Sequence, residues 1–202
     1  MPRLLMLALA LSVSGAVTAR APGADAPKAG APGVKLQRDV LYDTVAGEKL
    51  YLDVARPEEG GPYPCVVLFH GGAWITGSRK ELSVGPKGRD GKTGPSLIEQ
   101  VAAKGYVVAS VGYRLAPKHV FPAQIQDARS AVRFLRANAK DYGADRDKFA
   151  AGGFSAGAHL SLLLGLADRV EGWDTASNLK ESSKVQCVVD FFGPTDLTLY
   201  NT

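Results

Sequence analysis

Four short stretches of this chain are apolar almost without interruption: "CVVLFH" at residues 65–70, "YVVASVGY" at 106–113, "FAAGGF" at 149–154 and "VQCVVDFF" at 185–192. A strand with one face in water alternates polar and apolar residues, whereas a strand covered by helices on both faces has no need to. The four stretches therefore predict buried strands of a mainly parallel sheet. The segments between them supply the helices that such a sheet requires. "PSLIEQVAAKG" ends on Gly105, and "FPAQIQDARSAVRFLRANAKDYG" sets Ile125, Ala128, Val132 and Leu135 on one stripe before closing on Gly143. Arg129, Arg133 and Arg136 fall largely off that stripe and read as a solvated face. "SAGAHLSLLLGLAD" is apolar nearly all round, which predicts a buried helix. Ahead of these elements, "KLQRDVLYDTV" and "EKLYLDVAR" alternate polar and apolar residues about Ala46-Gly47 and predict an antiparallel opening hairpin. The fold class is α/β, with helices on both faces of the sheet.

The first residues, "MPRLLMLALALSVSGAVTARA", place Arg3 before an apolar run that ends in small residues, the pattern of a cleaved secretory signal over residues 1–21. The run is shorter than the ~20 apolar residues a membrane span needs. Secretion or export to a periplasm is the expectation, with no membrane attachment after cleavage. Residues 22–33, "PGADAPKAGAPG", are too poor in large apolar side chains to fold and read as a tether. The folded domain is expected over 34–202. Its charge excludes little except by weakness: the net charge is +4, and Arg3 and Arg20 of the leader region account for two of those charges, too little to argue for nucleic acid. The two cysteines, Cys65 and Cys187, each sit in an apolar run, and an exported protein permits a bridge between them.

Chemistry enters at "KFAAGGFSAGAHL". It reads as strand, Gly-x-Ser-x-Gly, helix, with Ser155 on the turn and Gly153 and Gly157 clearing space for the two elements to approach. Such a turn lifts a serine hydroxyl above the sheet, where the N-terminus of the following helix favours developing negative charge. A second signal is "VVLFHGGAWITGS", residues 66–78. A strand ending in His70-Gly71-Gly72 leaves backbone N–H groups unobstructed, and those of Gly71 and Gly72 can pair with that of Ala156 to hold an oxyanion. Trp74 either lines a substrate pocket or packs beneath the loop that follows. That loop, residues 77–95, leaves the C-terminal end of a strand, where ligands bind in parallel sheets. It reads equally as a cover over the site and as a surface excursion.

Taken together, "HGGAW", "SVGYRLAP", "FPAQIQDARSAVRFLRANAKDYGAD", "GGFSAGAHLSLLL" and "VVDFFGPTDL" resemble the α/β-hydrolase superfamily. The likeness is to its carbohydrate-esterase and feruloyl-esterase-like (BD-FAE-like) branch, related to hormone-sensitive lipase, and it covers roughly residues 35–200. The hormone-sensitive branch often has a third glycine where this chain has Ala73, which tilts the likeness towards the carbohydrate-esterase group. The resemblance implies a carboxylic-ester hydrolase acting through an acyl-enzyme on Ser155. Its oxyanion hole would be at Gly71, Gly72 and Ala156, its substrates acetyl, feruloyl or small aryl and alkyl esters, and it would use no metal or organic cofactor. It also implies a strand order that sets the Cys65 strand beside the serine strand and away from the Cys187 strand. Two buried free thiols are expected in place of a bridge.

A serine nucleophile needs an imidazole to accept its proton and a carboxylate to orient that imidazole. The chain has three histidines. His159 lies one helical turn past Ser155, which places its ring beside or beneath the nucleophile turn. His70 is placed to order the Gly71-Gly72 loop through a hydrogen bond, and His119 to pack in a connection. None reads as the base. Asp196 in "GPTDL" reads as a helix cap, since in the resembled family the acid comes one strand later. Both partners of the triad are thus absent from the 202 residues, and the expectation is an N-terminal portion of a longer enzyme, or of a gene model cut short after its sixth strand. The sheet edge at the last strand should then be apolar and exposed. Two other functions fit the same features. One is a hydrolase-like domain that binds without catalysis, and the other a serine peptidase or arylformamidase on the same fold. A metal-dependent hydrolase is disfavoured by the histidine spacing.

Overall fold

The computed structural model describes residues 33–167 and 170–198, so the proposed leader, nearly all of the tether and the last four residues lie outside it. Six strands form one sheet in the order β1-β2-β4-β3-β5-β6. They are β1 (Val34–Val45), β2 (Glu48–Pro57), β3 (Tyr63–Phe69), β4 (Val107–Val111), β5 (Ala144–Phe154) and β6 (Cys187–Phe191). The opening pair is antiparallel about Ala46 and Gly47, both with positive φ, which twists the turn to match its strands. β2 pairs antiparallel with β4, and β4, β3, β5 and β6 then run parallel.

Helices α1 (Lys80–Ser83), α2 (Leu97–Ala102), α3 (Ala123–Ala137), α4 (Ala139–Tyr142) and α5 (Ala156–Leu166) divide between the two faces. Successive side chains of a strand point to opposite sides. Cys65, Val67 and Phe69 accordingly pack in one buried cluster with Ile125, Leu135 and Leu160, while Leu68 joins Ala55, Val108, Leu82 and Ile98 in the other. Burying a side chain such as Phe69 or Phe149 stabilises the fold by roughly 1.5–3 kcal/mol relative to leaving it exposed. The strands that read as covered on both faces, β3 and β4, are so covered. A capping box between Ser96 and Glu99 starts α2, and Gly143 in the left-handed region ends α4.

Three expectations are corrected. Arg129, Arg133 and Arg136 do not face solvent: all three are buried, Arg133 at 2% exposure. Residues 173–184, which run from beyond α5 towards β6, lie over α3 and take up their charge and donors. Arg129 and Arg133 both pair with Asp174, and Arg136 donates to the carbonyls of Ser182 and Lys184. The same segment reaches the hairpin, where Asp43 accepts from Ser130, Thr175 and Ser177. Burial alone would raise the Asp43 carboxyl, but those hydroxyls and the Thr44 N–H outweigh it and hold it below the usual range.

Second, α5 is buried on one side only; Leu166 is exposed. Third, Cys187 is exposed although Cys65 is buried. β6 is the edge strand and carries an uncovered face on which Val189, Phe191 and Phe192 are also exposed, in line with the apolar edge read from the sequence. The thiols are free and β5 lies between their strands. Burial pushes the Cys65 thiol up to about 12, which leaves it unreactive. Alkylation of the native protein should therefore modify Cys187 alone, and Cys65 should react only after denaturation. Equal labelling of both thiols under native conditions would contradict this placement.

The 77–95 loop is tied down at its start. Arg79 Nε and Ser83 Oγ donate to Asp53 at 2.9 and 2.6 Å, and Ser110 Oγ donates to the Arg79 carbonyl at 2.7 Å. From Pro86 onward it is a mostly exposed excursion closed by a bridge between Lys87 and Thr93.

Candidate active site

β5 ends at Phe154 and α5 begins at Ala156, leaving Ser155 alone on the corner with φ +52° and ψ −117°. A side chain held in that conformation stores about 1–3 kcal/mol, which the surroundings must supply. Two hydrogen bonds do part of this: Ser155 N–H donates to the Phe191 carbonyl at 2.9 Å, and His159 N–H to the Ser155 carbonyl at 3.0 Å. The rest is close packing that only glycine allows. A Cβ on Gly153 would lie 2.5 Å from the Gly157 backbone, and one on Gly157 would lie 2.1 Å from the Phe69 carbonyl oxygen. β3, β5 and α5 thus touch through bare backbone on both sides of the serine.

The Gly71-Gly72 turn lies against this corner. A Cβ on Gly71 would meet Phe154 O at 3.1 Å and Ser155 Cβ at 3.6 Å, so the Gly71 backbone flanks the serine side chain directly. Gly72, Ala73 and Trp74 all have positive φ, and the N–H groups of Ile75 and Thr76 both donate to the Gly72 carbonyl. Ala73 adopts the left-handed conformation that a third glycine would take more readily.

His70 holds the turn from behind. Its Nδ1 is 2.7 Å from the Gly71 carbonyl, which can only accept, so Nδ1 carries the proton. The ring stacks on Tyr113 at 4.2 Å, and the Tyr113 hydroxyl donates to the His70 carbonyl at 2.9 Å. Burial lowers the affinity of the imidazole for a second proton. Tyr113 is positioned in turn by its neighbour Arg114, whose backbone N–H and guanidinium both bond the fully buried Asp127. Neither Tyr113 nor this ion pair was singled out from the sequence; the run "SVGYRLAP" was the only pointer.

No hydrogen bond joins a histidine to Ser155 Oγ among the described residues. His119 Nε2 lies 2.9 Å from Glu48 without hydrogen-bond alignment. His159 sits beside the Ser155 turn as its helical position requires, edge-on to Trp74 at 5.2 Å, and burial lowers its pKa. Asp196 Oδ1 accepts from the Thr198 N–H and hydroxyl, the bonding pattern of a cap, and is exposed. Among the described residues no three histidine, cysteine or acidic side chains are grouped as metal ligands would be.

Beyond Trp74 opens a cavity of about 390 Å³, within the range of small-molecule sites. Its walls include Trp74, Phe121, Gln124, His159, Leu160 and Leu163. The structure sets the Gly71 backbone against Ser155, with Gly72 next along the same turn and Ala156 next after the serine. Gly153 and Gly157 lie in the close contact between β5, α5 and β3, and His70 is bonded to the Gly71 carbonyl. Trp74 lines the cavity, and Ser155 is not among the residues that line it. No residue of the loop beyond Gly77 lines the cavity. Phe121, Gln124 and Leu163 were not anticipated. Only the four-residue spacing of His159 and Leu163 on one helix face signals any of them in advance.

Comparison with known proteins finds esterases. A family model described as BD-FAE matches residues 52–202. Esterase LipC of Mycobacterium tuberculosis is 33% identical over 162 residues, covering 79% of this chain and 37% of that protein. An arylesterase of Saccharolobus solfataricus is 33% identical over 123 residues, 60% of this chain and 35% of that one. Among solved structures, a propionate-bound thermophilic esterase of Thermogutta terrifontis superposes with a TM-score of 0.64 at 26% identity, covering 83% of this chain and 56% of that one. A truncated carbohydrate esterase from gut microbiota gives 0.65 at 27% identity, covering 86% and 61%. The chain spans little more than a third of the length of these curated relatives.

Proposed function

This chain belongs to the BD-FAE family of α/β-hydrolases, and from that membership we propose that it is a serine carboxylic-ester hydrolase with Ser155 as its nucleophile. The observation that carries the reading is the strained Ser155 corner with the Gly71 backbone against it. Ser155 Oγ attacks the acyl carbon, and the N–H groups of Gly71, Gly72 and Ala156 receive the oxyanion of the tetrahedral intermediate. The alcohol then leaves, and water releases the acid from the acyl-enzyme. Each such donor is typically worth about 10²–10³ in rate. His70, Tyr113 and the Arg114–Asp127 pair keep the turn in place; they touch no substrate.

The proton of Ser155 must go to an imidazole. Among the described residues no histidine is hydrogen-bonded to Ser155 Oγ: His70 Nδ1 bonds the Gly71 carbonyl, His119 lies beside Glu48, and His159 packs edge-on to Trp74. The apolar cavity beside Trp74 suits the acyl or aryl part of acetyl, feruloyl or small aryl and alkyl esters, and the likeness to a propionate-bound esterase and to a carbohydrate esterase supports that range. Export, directed by residues 1–21, would bring such an enzyme to polysaccharide esters outside the cell.

A fluorophosphonate probe tests the assignment. Mass spectrometry should locate a single adduct on Ser155, formed faster when imidazole is added as a base from solution. A folded protein that forms no adduct at Ser155 under either condition would overturn the enzyme reading and leave a hydrolase-like binding module.

A further inference from the structure

A buried carboxylate that the mechanism does not use grips the segment following the Gly71-Gly72 turn. Asp53, on β2, is 1% exposed and accepts from Arg79 Nε at 2.9 Å, Ser83 Oγ at 2.6 Å and the Asp39 N–H at 2.8 Å. Burial alone would raise its carboxyl, but those bonds outweigh it and hold the group below the usual range, so it is ionised. Its cross-strand neighbour on β4, Ser110, donates to the Arg79 carbonyl at 2.7 Å. Two adjacent strands thus hold Arg79, one by its guanidinium and one by its backbone. Gly77 is two positions away, a reach of about 7 Å at most. Its φ is +102°, and a Cβ there would lie 2.4 Å from His70 Nδ1 and 2.8 Å from the Gly71 carbonyl oxygen. Those are the two atoms joined by the 2.7 Å hydrogen bond that ties His70 to the turn. Gly77 therefore packs bare backbone onto that bond, and the Gly71 backbone in turn lies against Ser155.

We propose that Asp53 and Arg79 are positioning residues for the Gly71-Gly72 turn, acting through Gly77, which they press onto the His70–Gly71 hydrogen bond. The proposal rests on the hydrolase reading only for the use to which the turn is put. A hydrogen bond that water can reach contributes little, because water offers the carbonyl an equivalent donor. The Gly77 backbone keeps water from that exchange. With Arg79 released, the two-residue link lets Gly77 withdraw, and the Gly71 backbone is no longer fixed against Ser155. A misplacement of about 1 Å in a group that must meet the reacting atoms costs on the order of a hundredfold in rate. Neither Asp53 nor Arg79 lines the cavity beside Trp74, so neither meets a substrate held there.

The test follows the His70 ring by NMR in the full chain carrying isotopically labelled histidine, a readout that does not involve Ser155. The parent should show an Nδ1-bound proton that exchanges slowly with water, assigned by its loss in His70→Asn. Arg79→Met removes the grip and leaves Asp53 its Ser83 and Asp39 donors; the Arg79 side chain is partly exposed, so this variant should fold. Arg79→Met and Asp53→Asn should each speed the exchange about tenfold or more, the protection of roughly one hydrogen bond. Thr175→Val is the control. It takes a hydroxyl from the buried Asp43, so it lowers stability too, yet it should leave the exchange within about twofold. Fluorophosphonate capture at Ser155 should slow by about tenfold to a hundredfold in the first two variants and stay near the parent's rate in the control. A parent without the protected proton, exchange unchanged in Arg79→Met, or equal acceleration in Thr175→Val would each overturn the proposal, as would undiminished capture by Arg79→Met. If the parent takes up no probe the hydrolase reading fails, and the imidazole proton still decides what Asp53 and Arg79 do at the turn.

Discussion

Gly157→Ala should leave little native protein, because the methyl group has nowhere to go. Its Cβ would sit 2.1 Å from the Phe69 carbonyl oxygen and 2.5 Å from that of His70, both backbone atoms at the end of β3. A flexible side chain could swing aside from such a clash, whereas here α5 would have to lift off the sheet. Ordinary overpacking costs about 1–3 kcal/mol, and a contact this close against backbone belongs at or beyond the top of that range. Alanine favours a helix over glycine by about 1 kcal/mol, which offsets only part of it. A domain stable by roughly 5–15 kcal/mol would lose a large share. Gly47→Ala is the control. It has positive φ but open space around it, so it should cost only about 1 kcal/mol of backbone strain. Urea denaturation of the two variants measures the contrast. Gly157→Ala with a midpoint equal to the parent's would mean that α5 and β3 do not meet through bare backbone.

The second large effect is expected at Asp127. Its carboxylate receives the Arg114 backbone N–H at 2.8 Å and the guanidinium at 2.7–2.9 Å, with both residues buried. Asp127→Ala removes the charge and leaves the guanidinium only the Ala123 carbonyl and Gln126 Oε1. Breaking one side of a buried pair costs about 3–5 kcal/mol, since the stranded ion cannot return to water without moving the segment that carries it. That segment, residues 112–117, also supplies Tyr113 to His70 and the Ala116 N–H to the Trp74 carbonyl at 2.9 Å. The loss should therefore appear twice, as a lower denaturation midpoint and as slower capture of fluorophosphonate at Ser155. Replacing both partners, Arg114→Met with Asp127→Leu, should recover stability beyond either single change, because no lone charge remains buried. Single substitutions costing under about 1 kcal/mol would show that the pair is screened by solvent.

What could be read in advance at the site was local. The Gly-Phe-Ser-Ala-Gly corner, the helix after it and the paired glycines after His70 lie within a few residues of the atoms they shape. The requirement for small side chains at Gly153 and Gly157 was accordingly visible from their spacing, and the contacts now measured there are of the expected kind. The buried runs of β3 and β4 were equally legible, because a strand covered on both faces shows it in its own composition. β6 shows the limit of that reasoning. Its sequence is that of a covered strand, yet its burial depends on what lies beside it, so Cys187 is exposed.

Residue order alone determined the class of fold, the position of the serine corner and the identity of the turn beside it, because each follows from periodicity or backbone sterics over a handful of neighbours. Only the tertiary structure decided that Arg129, Arg133 and Arg136 are buried, since their partners Asp174, Ser182 and Lys184 arrive from a segment more than forty positions away. The cavity was decided in the same way. Trp74, Phe121, Gln124 and His159 come from three separate stretches of chain, and no local pattern records that their side chains meet around one space.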